Sequence, residues 1–190
     1  MAKEILVLSG SPKKDGNTAS LISWFTEGAV SKGARVEAVH IASLKFRAVG
    51  CTSCRVCQKM KKFGCVIEDD VQPVLQKMLK ADVIVMATPC YFYAMSAQLK
   101  AVMDRMFSLY KWDNNLGTME TPLKGKMFAV IASSFEPEGL DIVEKPFAVT
   151  AAYSGMSFDS LLVHGAGTSG EVVKNPGVRE QAVAFGKRFA

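Results

Sequence analysis

The order of apolar segments predicts an α/β protein built on a five-stranded parallel sheet with helices on both faces. Three observations carry this. Five short apolar or β-branched runs alternate with segments of helical periodicity along the 190 residues. Several of these runs break at once into Ser, Gly, Thr or Pro, the residues that turn a chain. With 49% apolar residues, 22% charged residues and a net charge of +5, the chain can bury a core without staples. A single domain over residues 1–190 follows.

The elements are read in order. Residues 4–8 form the first strand and break at Ser9-Gly10-Ser11-Pro12. Residues 18–32 set Leu21, Phe25, Gly28 and Ala29 on one helical face, and Gly33 stops the helix. Residues 35–41 alternate Val36, Ala38 and Ile41 with polar residues, a strand. Val71, Val74, Leu75, Met78 and Leu79 follow helical spacing. Residues 83–87 are a buried-type strand ending at Thr88-Pro89, and Leu99, Val102, Met103, Met106, Phe107 and Tyr110 mark the next helix face. Residues 126–132 give a strand, and 140–153 a helix that Pro146 kinks or limits at its start. Residues 158–164 are the last strand, and Val178, Ala182, Phe185 and Phe189 the last helix. Two connections, 43–70 and 111–125, are longer than a compact domain needs, which points to function or to an interface.

The composition excludes several classes. No apolar run is long enough to span a bilayer, so no membrane role is expected. The N-terminus leads straight into a strand without room for a signal peptide, and a cytoplasmic location is expected. The five cysteines then read as thiols or metal ligands and not as disulfides. The excess positive charge lies in the first third of the chain, too little to indicate nucleic-acid binding.

In doubly wound sheets ligands bind beyond the carboxyl ends of the strands. The first such loop runs from Ser9 to Thr18 and offers two serines, a lysine pair, two glycines and an Asn-Thr helix start. A helix N-terminus supplies open N–H groups and positive potential, so this loop suits a phosphate, although a well-capped turn would look similar. The Gly-Lys-Ser/Thr ending of a nucleoside triphosphate loop and the glycine spacing of a dinucleotide fingerprint are both absent.

Two stretches carry a family resemblance. Gly10-Ser11-Pro12-Lys13-Lys14-Asp15-Gly16-Asn17-Thr18 resembles the G-S-P-R-x-x-G-N-T signature of the flavodoxin-like NAD(P)H-dependent FMN reductase superfamily. Thr88-Pro89-Cys90-Tyr91-Phe92-Tyr93, followed by Lys100 and Asp104-Arg105, resembles its second signature. The resemblance implies a flavodoxin-like three-layer sandwich that binds FMN. It implies phosphate contacts from Ser9, Ser11, Lys13, Asn17 and Thr18. Pro89, Cys90, Tyr91, Phe92 and Tyr93 would supply backbone N–H groups and an aromatic surface to the isoalloxazine ring. Ser133 and Ser134, in a third loop less glycine-rich than the family's, would complete the site. Asp104 and Arg105 read as helix-terminal or interface ion-pair residues.

Cys51, Cys54, Cys57 and Cys65 are spaced C-x2-C-x2-C-x7-C, a pattern that lets one loop wrap a metal cluster and is less natural for zinc. The spacing resembles the compact motif of the iron–sulfur flavoprotein branch, which implies a 4Fe-4S cluster near FMN. Related reductases keep a similar loop without a cluster, so both readings stand. Arg55, Lys59, Lys61 and Lys62 lie among these cysteines with no acid between Cys51 and Ile67. The function implied is an FMN-dependent oxidoreductase that takes a hydride from NAD(P)H and passes electrons to a flavin, quinone or other acceptor. The alternative is an iron–sulfur flavoprotein electron carrier fed by a ferredoxin-like donor. The cofactor carries the chemistry, so no catalytic side chain is assigned. The resemblance also implies a homodimer or tetramer.

Overall fold

The computed structural model describes residues 2–113 and 116–190. The chain opens with β1 (Glu4–Ser9), α1 (Asn17–Ser31) and β2 (Arg35–His40). The one-turn helix α2 (Val56–Lys59), α3 (Val71–Lys80), β3 (Val83–Pro89) and α4 (Ala97–Arg105) follow. A short antiparallel pair, β4 (Lys111–Asp113) and β5 (Thr118–Glu120), precedes β6 (Met127–Ser133) and α5 (Leu140–Ser154). The chain finishes with β7 (Ser157–Val163) and α6 (Pro176–Lys187).

Five strands form one parallel sheet in the order β2-β1-β3-β6-β7. This is the flavodoxin-like order that the resemblance implied, and the parallel sheet is the one the sequence pattern predicts. The pleat sorts side chains between two cores. Ile5, Val7, Val83, Val85, Ala129 and Ile131 face α1 and α6. Leu6, Leu8, Ile84, Met86, Phe128 and Val130 face α3, α4 and α5. Burial on both faces is why β1, β3 and β6 are apolar almost throughout.

Helices α1 and α6 cross at two glycines. A Cβ at Gly28 would lie 2.0 Å from the Val183 carbonyl oxygen, and one at Gly186 2.0 Å from the Phe25 carbonyl oxygen. The backbones therefore touch directly. Phe25, Phe185 and Phe189 pack around the crossing with ring centroids 4.9–5.9 Å apart.

Some expectations change. Ser9 and Ser133 are the last residues of β1 and β6 and not the first of their loops. The helix face read through Tyr110 divides: α4 ends at Arg105 and a tighter 3-10 turn, Met106–Leu109, keeps Met106 and Leu109 buried. Pro146 lies inside α5, so it does not limit the helix start. Helix α2 and the β4–β5 pair are too short to show a period. Of the connection 111–125, residues 114 and 115 lie outside the described residues. Among the described residues no helix is long and apolar enough to cross a membrane.

Candidate functional site

The sheet register brings the post-strand loops side by side. Ser9 stands opposite Ala87, and Pro89 opposite Ser133. The first two loops are then clamped together. The Gly10 N–H donates to the Ala87 carbonyl at 2.7 Å. The Ser96 hydroxyl donates to the Gly10 carbonyl at 2.6 Å and accepts the Leu99 N–H at 3.3 Å, capping α4. The Ser96 N–H donates to the Thr88 hydroxyl at 3.0 Å. Gly10 is held so close that a Cβ there would lie 2.7 Å from Leu99 Cβ and 2.8 Å from Ser96 Oγ. Thr88 and Ser96 are fully buried and were not singled out in the sequence, although a serine immediately before an apolar helical stretch is an N-cap signal.

In the first loop Ser9, Ser11, Asn17 and Thr18 are buried and Lys13 is exposed. The Ser11 hydroxyl accepts the Lys13 N–H at 3.2 Å and curls the loop. The Asn17 side chain is engaged within the protein. Its amide nitrogen donates to the Thr168 carbonyl at 2.8 Å, and its amide oxygen accepts the Val172 N–H at 3.3 Å. The side chain ties α1 to the segment after β7, which leaves its backbone N–H for a ligand. The hydroxyls of Ser9 and Thr18 have no protein partner among the described residues. With the open N–H groups at the start of α1, they form a cradle that fits a phosphate.

The second loop is a tight turn. Tyr91 and Ala94 exchange N–H···O bonds of 2.9 and 3.1 Å across Phe92 and Tyr93, whose φ angles are 49° and 63°. Such turns favour Asn-Gly, so two aromatics here are strained. Phe92 is 98% exposed, and Tyr91 and Tyr93 are about half exposed. Within residues 89–93 three positions have no N–H left for a ring. Pro89 has no N–H, the Cys90 N–H donates to the Ser133 carbonyl at 2.7 Å, and the Tyr91 N–H is spent in the turn. Burial pushes the Cys90 thiol up, with the Tyr93 N–H acting against it.

In the third loop Ser133 and Ser134 are buried, and the Ser134 hydroxyl donates to the Glu136 carbonyl within its own loop. A cavity of about 240 Å3 opens between the second and third loops, lined by Cys90, Phe92, Tyr93, Ser134, Glu136 and Glu138.

The four clustered cysteines all line one small pocket, together with Arg105 and Phe107. Cys51 and Cys54 are exposed, Cys57 is buried and Cys65 lies between. Ser53 and Arg55, with φ of 57° and 56°, bend the loop round. The Ser53 N–H donates to Cys51 Sγ at 3.4 Å and the Gln58 amide to Cys57 Sγ at 3.6 Å. Lys111 donates to the carbonyls of Cys57 and Met60, pinning α2. The Val56 N–H, then the Thr52 hydroxyl, lower the Cys54 thiol, whereas burial raises Cys57. Among the described residues no three His, Cys, Asp or Glu side chains close on a point as the ligands of one ion do. Cys51, Cys54, Cys57 and Cys65 therefore surround a pocket without forming a single-ion site.

Arg105 is the last residue of α4 and an ion-pair residue, as the sequence suggests, but the pair is internal. Its side chain is fully buried and pairs with Asp69 at 2.6 Å, while a second nitrogen donates to the Ile67 carbonyl at 3.1 Å. Burial opposes the guanidinium charge, but Asp69 and Cys65 outweigh it and raise Arg105. Burial likewise pushes the Asp69 carboxyl up, and Arg105 with the N–H groups of Arg47 and Val71 holds it below the usual range. Asp104 does stay at the surface, paired with Lys100. A groove of about 800 Å3 lies elsewhere, between α4 and α5, where Ile142, Val149 and Tyr153 are exposed.

The sequence model of the NADPH-dependent FMN reductase family matches residues 4–160. The chain belongs to this family. Over 102 residues it is 36% identical to an iron-sulfur flavoprotein of Methanocaldococcus jannaschii, a match covering 54% of this chain and 51% of that protein. It is 35% identical over 102 residues to the iron-sulfur flavoprotein of Methanosarcina thermophila, covering 54% and 51%. The chain thus spans about half the length of the curated relatives it matches. The fold of this family member is also that of an FMN-dependent NADH-azoreductase from Bacillus anthracis solved in complex with FMN. The TM-score is 0.72 at 14% identity, over 97% of this chain and 98% of that one.

Proposed function

We propose that the protein is an FMN-dependent oxidoreductase that takes a hydride from NAD(P)H and passes electrons to a flavin, quinone or other acceptor. The observation that carries this reading is the meeting of three loops at one sheet edge, a phosphate cradle on one side and an aromatic-edged cavity on the other. FMN, when bound, supplies the hydride-accepting ring. The chain binds and orients it. Ser9, Ser11 and Thr18 hydroxyls and the N–H groups opening α1 hold the phosphate, and exposed Lys13 adds positive potential. The Phe92–Tyr93 turn and the loop after Ser133 bracket the ring and limit water there. No side chain is assigned an acid–base role.

A second reading, an iron–sulfur flavoprotein carrying electrons from a ferredoxin-like donor, is favoured by the four cysteines around one pocket. In a 4Fe-4S cube each thiolate attaches to a different iron, so its ligands stand farther apart than those of one ion. The four thiols line the same pocket, and the N–H groups directed at Cys51 and Cys57 sulfur suit thiolates. Cys51, Cys54, Cys57 and Cys65 would hold the cluster. A homodimer, or a tetramer built from it, would cover the apolar groove between α4 and α5. The proposed setting is cytoplasmic.

Anaerobic purification followed by absorbance, iron and sulfide assays and addition of NADPH or NADH tests both readings. Flavin bands that bleach with a nicotinamide support the reductase, and flavin that neither donor bleaches overturns it. About four irons per chain support the cluster, and an iron-free protein overturns it.

A further inference from the structure

The pocket lined by the four cysteines contains one buried cation that the sequence places at an ordinary helix end. Arg105 uses two of its three nitrogens, one on Asp69 and one on the Ile67 carbonyl. The third, Nε, is buried and meets no hydrogen-bond acceptor. A buried N–H without a partner costs about 1–3 kcal/mol, more on a charged group, so an unfilled donor of this kind points to a missing acceptor. The candidates around it are sulfur, because Arg105 shares the pocket with Cys51, Cys54, Cys57 and Cys65.

We infer that Arg105 is a positioning residue for the group held by the four cysteines, its Nε–H meeting a thiolate or sulfide sulfur and setting the reduction potential. The inference rests on the cluster reading given above. Asp69 fixes the guanidinium from the opposite side. One of its oxygens takes Arg105 and the Arg47 N–H at 3.0 Å, and the other takes the Val71 N–H at 3.1 Å at the start of α3. The fork is thus oriented before any cluster enters. Reduction adds one electron and one negative charge to the cluster, and a cation donating a hydrogen bond to its sulfur favours that reduced form. Lysine keeps the charge and loses the planar fork that reaches Asp69, Ile67 and the pocket together.

The test is a dye-mediated reductive titration, followed by electron paramagnetic resonance, of anaerobically purified wild type, Arg105→Lys, and the double variant Arg105→Met with Asp69→Asn. The double variant removes both partners and so leaves no buried charge uncompensated. The double variant keeps the net charge, so losing the donor and the positive end of the ion pair that faces the pocket is expected to make one-electron reduction about tenfold less favourable, a potential lower by about 59 mV. Arg105→Lys is expected to fall between this and wild type. Cluster content that drops while the remaining clusters titrate at the wild-type potential marks a structural role alone and overturns the inference. A wild-type protein without iron overturns the cluster reading and the inference together. A wild type with a full cluster and an unmoved potential in both variants overturns the inference only.

Discussion

Replacing Ser96 by alanine should loosen the clamp on which the proposed flavin site stands. The hydroxyl is fully buried and serves two partners, the Gly10 carbonyl at 2.6 Å and the Leu99 N–H at 3.3 Å. Loss of an N-cap costs about 1 kcal/mol. The Gly10 carbonyl, buried and left without a donor, would add about 1–3 kcal/mol. The two effects share one atom and do not add fully, so Ser96→Ala should destabilise by about 2–3 kcal/mol. For a chain of this size that lowers the melting temperature by about 4–12 °C. Because the same hydroxyl seats the first loop on the second, FMN affinity should fall too, about tenfold for each 1.4 kcal/mol of lost preorganisation. Ser31→Ala is the control. Its hydroxyl also donates to a carbonyl, that of Gly28 at 2.7 Å, but at an exposed helix end where water replaces it. That change should cost less than about 0.5 kcal/mol. Thermal melts, urea titrations and flavin-fluorescence titrations of the apoprotein give the numbers. A Ser96→Ala protein with wild-type melting and wild-type FMN affinity would refute the clamp.

Gly28→Ala should destabilise by about 2 kcal/mol in urea titrations, because overpacking against the Val183 backbone outweighs the better helix propensity of alanine. Gly177→Ala, in the same α1–α6 layer but with nothing nearer than 3.7 Å, should be neutral or stabilising. Asp69→Asn strands a buried guanidinium and should cost about 3–5 kcal/mol near neutral pH. Since the folded state lowers the Asp69 pKa, its stabilisation is present above the unfolded value near 4 and is lost as pH falls below it. Wild-type stability should therefore drop more steeply than that of Asp69→Asn in acid urea titrations, and parallel profiles would argue against the ion pair. Phe92→Asn combined with Tyr93→Gly should stabilise the apoprotein by about 1–2 kcal/mol while weakening FMN binding, read from melts with and without FMN.

The parts legible in the sequence are those with a local physical cause. Strands β1, β3 and β6 are buried on both faces, so they appear as unbroken apolar runs that end where the loops begin. The cysteine spacing and the glycine-flanked first loop are likewise short-range patterns. What stayed hidden depends on partners distant in the chain. Arg105 reads as a helix-terminal ion-pair residue, but the sequence does not name its partner, Asp69, which lies 36 positions earlier and holds it buried. The side-chain partners of Asn17, Thr168 and Val172, come from the other end of the chain, out of reach of any local pattern. The β4 and β5 strands have three residues each, fewer than an alternation needs to be recognised.

The backbone itself distinguishes the two candidate sites from the rest of the fold. Among the described residues four non-glycine positions have left-handed φ: Ser53, Arg55, Phe92 and Tyr93. Two bend the cysteine loop and two form the turn beside the proposed ring cavity. Glycine would relieve each at a saving of about 1 kcal/mol or more, and the chain does use glycine at nine other left-handed positions. Where only the shape of a turn matters, then, this sequence takes the unstrained residue. At these four positions it keeps a side chain against the conformational cost. Phe92, at 98% exposure, gains nothing from burial in the isolated chain that could repay it. On the proposed function the compensation comes from a bound flavin, so relaxing the Phe92–Tyr93 turn should trade flavin affinity for stability.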